Sequence, residues 1–139
     1  MIKPYFHVIM PIGSDRAFPI KQEIIRQIAK TYNLEAHFPN YSSSKPVFAI
    51  RQTMEDLRGS LFVIADLSLE RPSCYYELGI AESLGKKVFI IAQSGTDIHQ
   101  TMNREYVQFY QDLSDFKEVL RGTIQNHGRV PPDEKPVTI

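Results

Sequence analysis

Residues 61–65 read LFVIA and are apolar throughout, without the alternation of a strand that has one face in water. A short, continuous apolar run of this kind predicts a strand that is buried on both faces of a parallel sheet. Asp66 ends the run, and the loop 66–73 leads into a helix predicted for residues 73–84. A second buried strand, KVFIIA, follows at 87–92. The order strand, helix, strand predicts a parallel pair with the helix packed on the sheet.

The same alternation continues in both directions from this unit. Three further strands are predicted, at 5–10 (YFHVIM), 34–38 and 107–110. The first of three further helices carries Ile20, Ile24, Ile25 and Ile28 at helical spacing. The second spans 47–57, with Ile50, Met54 and Leu57 on one face, and the third spans 113–124. We therefore expect an α/β fold, a doubly wound (flavodoxin- or Rossmann-like) parallel sheet of about five strands. It forms a single domain over residues 1–125, and the segment 126–139, with Gly128 and three prolines, is expected to be extended or disordered.

The amino-acid composition limits the kinds of molecule that this protein is expected to bind. Sixteen Lys and Arg residues balance sixteen Asp and Glu residues, so we expect no nucleic-acid polymer as a partner, whereas a nucleoside or nucleotide remains open. Cys74 is the single cysteine and the four histidines lack metal-ligand spacing, so we predict neither a disulfide nor a metal site nor a cofactor. No apolar run reaches the roughly 20 residues of a membrane span. The N-terminus enters a strand-like stretch directly, and we expect a cytoplasmic protein without membrane association.

In doubly wound sheets ligands bind beyond the carboxyl ends of the strands, which directs attention to the loops 11–15, 66–73 and 93–104. Asp66 ends the central strand at this edge, and we expect it to act on a ligand; the alternative is that it caps the turn through Ser68. Gly13, Ser14 and Asp15 are candidates for binding phosphate or ribose hydroxyls, with a helix N-cap as the alternative.

The helix after Asp66 contains two unusual residues. Glu77 follows two tyrosines in a largely apolar setting, and Gly79 lies where alanine would be more stable by roughly 0.8–1 kcal/mol, which suggests close approach of another group. Glu77 is either an acid at the helix start, favoured by the macrodipole, or a functional carboxylate, and its spacing from Ser73 fits a capping box poorly. The pattern alone leaves both interpretations open.

The remaining candidates near this helix have structural alternatives. Ser73 either donates to a phosphate or caps the helix, and Tyr75 and Tyr76 are candidates for stacking on a base, with one of them expected in the core. Cys74 is expected to be a buried structural thiol. His7, in the first strand, is interpreted as a core histidine with satisfied hydrogen bonds.

The string YYELGIAESLGKKVFII at 75–91, preceded by FVIADLSLERPS at 62–73, resembles the nucleoside 2-deoxyribosyltransferase superfamily, and in particular its small TIR-like relatives. FHVIMPIGSD at 6–15 is similar to the first strand and substrate loop of that family, and REYVQFYQDLSDF at 104–116 to its last strand and helix. The resemblance thus covers most of the chain, and its Glu-Leu-Gly segment is the most specific part.

The resemblance implies cleavage or transfer of an N-glycosidic bond on a nucleoside, nucleotide or NAD, with Glu77 attacking or stabilising the anomeric carbon. Breaking that bond builds positive charge on the sugar, which a nearby carboxylate stabilises or captures, and the helix N-terminus is expected to help keep Glu77 ionised. The resemblance also implies a homo-oligomer, and a bacterial defence or nucleotide-signalling system with a partner protein.

The sequence departs from the family at two positions. The family carries an Asp at the start of the central strand, where this chain reads Gly59-Ser60-Leu61. It also carries an Asn before the aromatic pair, where this chain has Ser73-Cys74. A non-catalytic TIR-like module that senses a nucleotide or scaffolds an assembly is therefore the second functional hypothesis.

Overall fold

The computed structural model describes residues 3–12, 15–38, 50–99 and 106–127. The elements along them are β1 Tyr5–Ile9, α1 Phe18–Thr31, β2 Glu35–His37, α2 Ile50–Gly59, β3 Val63–Asp66, α3 Pro72–Ser83, β4 Val88–Gln93, β5 Gln108–Tyr110 and α4 Leu113–His127. A short 3₁₀ helix, Ser68–Glu70, lies between β3 and α3. Strands and helices therefore alternate as the apolar patterns predict.

The strands form one parallel sheet in the order β2-β1-β3-β4-β5. This is the order of a doubly wound, flavodoxin-like sheet, which confirms the predicted fold class. The order reverses between β1 and β3, where Ile9 of β1 pairs with Ala65 of β3. The reversal opens a crevice beyond the carboxyl ends of these two strands, where ligands commonly bind in such folds.

Helices cover both faces of the sheet. On one face α1 and α4 bury a core that includes Phe6 and Val8 of β1. On the other face α2 and α3 bury a core that includes Ile9 of the same strand. Because successive side chains of a strand point to opposite faces, His7 shares the face of Ile9 and points towards α2 and α3.

The ends of the helices follow local chain chemistry. Pro72 occupies the first position of α3, where its missing N–H costs nothing, so the helix begins one residue earlier than predicted. After α3, Gly85 has a φ of 72°, a left-handed conformation that glycine adopts without strain. Helix α4 reaches His127, past the predicted domain boundary at residue 125. Residues 128–139 lie outside the described ranges, so the predicted tail stays a prediction.

The apolar faces of two helices differ from the predicted ones. Ile20 of α1 is 54% exposed, whereas Lys21 is 4% exposed and points inward with Ile24 and Ile28. Neighbouring helical residues lie about 100° apart, so turning Lys21 inward moves Ile20 to the side of the helix. In α2, Leu57 is buried as predicted but Ile50 is 42% exposed, and residues 47–49 lie outside the described part of the chain.

Candidate functional site

Helix α3 brings Glu77 into the molecule rather than to its surface. Glu77 is the sixth residue of α3, the first turn of which contains no acidic residue. The interpretation as a helix-start acid is therefore wrong, and the expected stabilisation of its charge by the helix N-terminus is weak because that effect fades within one turn. Glu77 is only 7% exposed and lies on the same buried face as Cys74 and Leu78.

Glu77 faces His7 of β1. Oε2 of Glu77 lies 3.6 Å from Nε2 of His7, and His7 is 1% exposed. This distance is longer than a hydrogen bond, so the two atoms face each other without being bonded. His7 lies in the core, as predicted, but the prediction that its hydrogen bonds are satisfied is wrong, since neither of its ring nitrogens has a hydrogen-bond partner among the described residues.

The two side chains contain several buried polar atoms that lack hydrogen-bond partners. Within residues 3–12, 15–38, 50–99 and 106–127, the buried side-chain nitrogen and oxygen atoms without a hydrogen-bond partner are Nδ1 and Nε2 of His7 and Oε2 of Glu77. Each such atom costs about 1–3 kcal/mol of folding free energy. Buried polar groups are otherwise paired in native proteins, so a group left without a partner often marks a place where a ligand or an ion supplies one.

Asp66 lies at the same edge of the sheet and is also buried, at 1% exposure. Its Oδ1 accepts a hydrogen bond from the backbone N–H of Ser68 at 2.9 Å, and its Oδ2 accepts one from the hydroxyl of Tyr110 at 2.6 Å. The turn-capping contact with Ser68 is thus present. Both carboxylate oxygens of Asp66 have partners within the fold, in contrast to Oε2 of Glu77.

Lys21 and Asp15 extend this cluster to α1. Nζ of Lys21 donates to the Tyr110 hydroxyl at 2.9 Å and to Oδ2 of Asp15 at 2.7 Å. The other oxygen of Asp15 accepts from the backbone N–H of Ala17 at 2.8 Å, just before α1 begins. We call Asp15, Lys21, Asp66, Ser68 and Tyr110 the Tyr110 network. It ties α1, β3 and β5 together across the carboxyl edge of the sheet.

The network perturbs the ionisation of its members. Burial by itself lowers the pKa of Lys21, but its hydrogen bonds to Asp15 and Tyr110 and the charge of Asp66 outweigh burial and raise that pKa. Burial, and then the charge of Asp66, raise the pKa of Tyr110 to about 12. Lys21 is thereby kept charged and Tyr110 kept protonated, the states in which both donate their hydrogen bonds.

The turn between β3 and α3 has a strained backbone. Leu69 and Glu70 have φ values of 68° and 46°, in the left-handed region that costs a residue with a Cβ roughly 1–2 kcal/mol. Oε1 of Glu70 lies 3.1 Å from Nε2 of His99 and accepts from the hydroxyl of Tyr75 at 3.3 Å. These contacts join the turn to α3 and to the segment after β4. Such strain is often found beside binding sites.

The predicted substrate-binding residues are only partly brought together. Gly13 and Ser14 lie outside the described residues, and Asp15 belongs to the Tyr110 network. Ser73 is exposed at the second position of α3, and Tyr76 is 56% exposed on its outer side. Their proposed contacts with a ligand stay predictions.

Gly79 and Cys74 differ in their surroundings. A Cβ built on Gly79 meets no atom of the described chain within 4 Å, so the close approach of another backbone is absent there, and the close approach of a ligand stays a prediction. Cys74 is buried, as predicted, and burial followed by the charges of Glu77 and Asp66 raises the pKa of its thiol to about 12. A thiol with that pKa is a poor nucleophile at neutral pH.

The described ranges offer neither a metal cluster nor a membrane span. No group of three or more His, Cys, Asp or Glu side chains there is placed to hold a metal ion. None of the helices there has the length and apolar character needed to cross a bilayer. An open cavity of about 430 Å³ does lie at the ends of β3 and β4, lined by residues 68–70 and 93–97.

Comparison with known proteins bears on the fold. No family model matches the chain, and no curated protein matches it in sequence. Among solved structures it is similar to a 2-deoxyribosyltransferase from Bacillus psychrosaccharolyticus, with a TM-score of 0.59 and 14% sequence identity, covering 84% of this chain and 95% of that chain. The chain therefore has a deoxyribosyltransferase-like fold, while the roles of its own residues rest on the geometry described above.

Sequence reasoning found Glu77 but missed its partner. His7 is the one ionisable residue in the run FHVIM, and strand alternation places it on the face opposite Phe6 and Val8. The helix that follows the central strand covers that same face. The signal that could have predicted their contact has two parts. One is an ionisable side chain on the inner face of a central strand, and the other is a buried acid on the helix that covers that face.

We expect Tyr110→Phe to lower the free energy of unfolding by about 1.5–3 kcal/mol, because it removes a hydroxyl that both Lys21 and one oxygen of Asp66 use as a partner. Urea unfolding measures the change. Tyr106→Phe is the matched control, since Tyr106 is 72% exposed, and its effect should stay within about 0.5 kcal/mol. Equal losses in the two variants would mean that the buried hydroxyl does not hold the network together.

We expect Glu77→Met to raise the free energy of unfolding by about 1–3 kcal/mol, because it removes a buried carboxylate oxygen that lacks a hydrogen bond, while His7 has no hydrogen bond to Glu77 that would be lost. Glu55→Met, at an exposed position of α2, serves as the control and should change stability by about 0.5 kcal/mol or less. A clear loss of stability in Glu77→Met would show instead that the carboxylate stabilises the fold.

Proposed function

We propose that this protein cleaves or transfers the N-glycosidic bond of a nucleoside, a nucleotide or NAD, with Glu77 as the carboxylate that meets the anomeric carbon. The observation that carries the proposal is the burial of Glu77 without a hydrogen bond to Oε2, beside an equally unsatisfied His7. The deoxyribosyltransferase-like fold and the resemblance of the Glu-Leu-Gly segment support it.

The chemistry needs a carboxylate in this kind of setting. As the C1′–N bond breaks, its electron pair leaves with the base and positive charge develops on the sugar. A nucleoside base then takes up a proton from water or from an acid, whereas nicotinamide leaves as a neutral molecule without one. A carboxylate oxygen stabilises that charge or bonds to C1′, and water or an acceptor base then attacks C1′ and releases the carboxylate. In a buried setting the attraction between carboxylate and sugar is stronger than in water.

In this proposal Asp66 has a structural role. We predicted it as a second catalytic carboxylate, but its two oxygens are engaged by Ser68 and Tyr110. In this arrangement Asp66 fixes the loop after β3 through the Tyr110 network. It can act on a ligand only if one of these hydrogen bonds is exchanged for a contact with that ligand.

The same observation favours a second candidate, a TIR-like module that senses a nucleotide without turnover. Glycosidic cleavage usually combines a carboxylate with a group that protonates the leaving group. Asp15 and Asp66 both have their oxygens engaged within the fold. If no other acid assists, a ligand bound beside Glu77 stays intact. A homo-oligomer and a partner protein in a bacterial defence system remain predictions from the resemblance, and a cytoplasmic location remains a prediction from the sequence.

We expect the pure protein to release free base or nicotinamide from at least one member of a panel of nucleosides, 5′-nucleotides and NAD, followed by chromatography. Glu77→Gln should reduce the rate about 100-fold or more, because the amide cannot stabilise a cationic sugar. Glu55→Gln, at an exposed position of α2, should leave the rate unchanged.

The outcomes separate the two candidates. Equal release by the wild type and Glu77→Gln would remove Glu77 from the chemistry. No release by either across the panel would favour the sensing module.

A further inference from the structure

We propose that His7 is the positioning residue for Glu77: a neutral imidazole that carries its proton on Nε2, donates it towards Oε2, and leaves Oε1 to face the ligand. This inference rests on the proposed function, since it explains how the reactive carboxylate is oriented. It depends on a nearly complete burial of His7 opposite a buried acid, whereas the side chains of His37 and His99 are 36% and 66% exposed.

The backbone fixes the position of the His7 ring. His7 lies in the middle of β1 and pairs with His37 of β2 on one side and Val63 of β3 on the other. A residue inside two parallel ladders has little freedom to move. Glu77, on a helix that packs against the sheet, is the partner that adjusts. A small rotation of its side chain shortens the present 3.6 Å separation to the hydrogen-bond range of about 2.7–3.2 Å.

The unsatisfied atoms determine which nitrogen carries the proton. With the proton on Nε2, the donor faces the carboxylate, and Nδ1 is left as an unpaired acceptor. With the proton on Nδ1, a buried N–H has no partner, and the Nε2 lone pair faces the carboxylate oxygen of Glu77. Of the two neutral tautomers, the Nε2–H form is therefore the one that costs less.

The inward-facing residues of α2 and α3 offer no second charged partner for Glu77. The inward residues of α2 are Thr53 and Leu57, and those of α3 besides Glu77 are apolar, namely Cys74, Leu78 and Ala81. None of them carries a charge that competes for the carboxylate. A single N–H donor in an apolar setting orients a carboxylate more strongly than it would in water.

The first experiment needs no turnover. Nitrogen-15 labelling of the histidine rings gives spectra in which the two neutral tautomers differ, and His7→Gln identifies the His7 signals. We expect His7 to show the Nε2–H tautomer at neutral pH, and Glu77→Gln to shift its Nε2 signal more than that of any other histidine. An Nδ1–H tautomer, or an Nε2 signal that Glu77→Gln leaves unmoved, would overturn the proposal.

The second experiment tests the positioning role in turnover. His7→Leu should lower kcat about 10-fold or more with KM within about 2-fold, because a misplaced carboxylate slows the chemical step rather than binding. His7→Gln, whose amide N–H reaches the Nε2 position, should recover most of the loss. The matched control is His37→Leu, which removes a partly exposed histidine 3.5 Å from Glu35 and should leave kcat unchanged.

The outcomes distinguish this inference from the proposed function. Equal losses in His7→Gln and His7→Leu, or a change confined to KM, would overturn the positioning role while leaving Glu77 in the chemistry. A wild type that shows no turnover would refute the enzymatic function, and the tautomer of His7 and its response to Glu77→Gln would still decide whether the pair is coupled.

Discussion

A buried carboxylate with an unsatisfied oxygen persists only where the rest of the fold compensates for its cost. Here the compensation comes from two apolar cores, one on each face of a five-stranded parallel sheet, and from the ladders that hold β1 between β2 and β3. Glu77 and His7 are placed at the contact between that rigid strand and helix α3. The sheet and the helices thus support one pair of polar side chains to which no described residue offers a hydrogen bond.

Two polar clusters on this sheet behave in opposite ways. In the Tyr110 network the two carboxylates have hydrogen-bond donors for both oxygens, and the cluster joins α1, β3 and β5. In the His7–Glu77 pair three buried atoms have no hydrogen-bond partner among the described residues. A satisfied network stabilises and specifies the fold, whereas an unsatisfied pair marks a place where a ligand can supply the missing partners. This contrast, rather than burial or charge alone, separates Glu77 from Asp66.

Local patterns in the sequence were sufficient for the fold but not for the site. Continuous apolar runs such as 61–65 identified the parallel strands, whereas the setting of Glu77 left two interpretations open and only the resemblance singled it out as the candidate acid. The inward turn of Lys21 in place of Ile20 could not be predicted, because its partner Tyr110 is 89 residues away. That no other backbone approaches Gly79 closely could not be predicted for a similar reason, since only the packed structure shows that its surroundings within the described chain are open. Long-range polar contacts of this kind leave no periodic signal.

The central claim is that the unsatisfied Glu77–His7 pair is a ligand site, and calorimetric titration with nucleosides, 5′-nucleotides and NAD tests it most directly. The account predicts that at least one of these compounds binds the wild type and that Glu77→Met, which keeps the fold, weakens that binding about 10-fold or more, as expected when a desolvated polar contact is lost. Equal affinity of the two proteins, or no binding by the wild type across the whole panel, would contradict it.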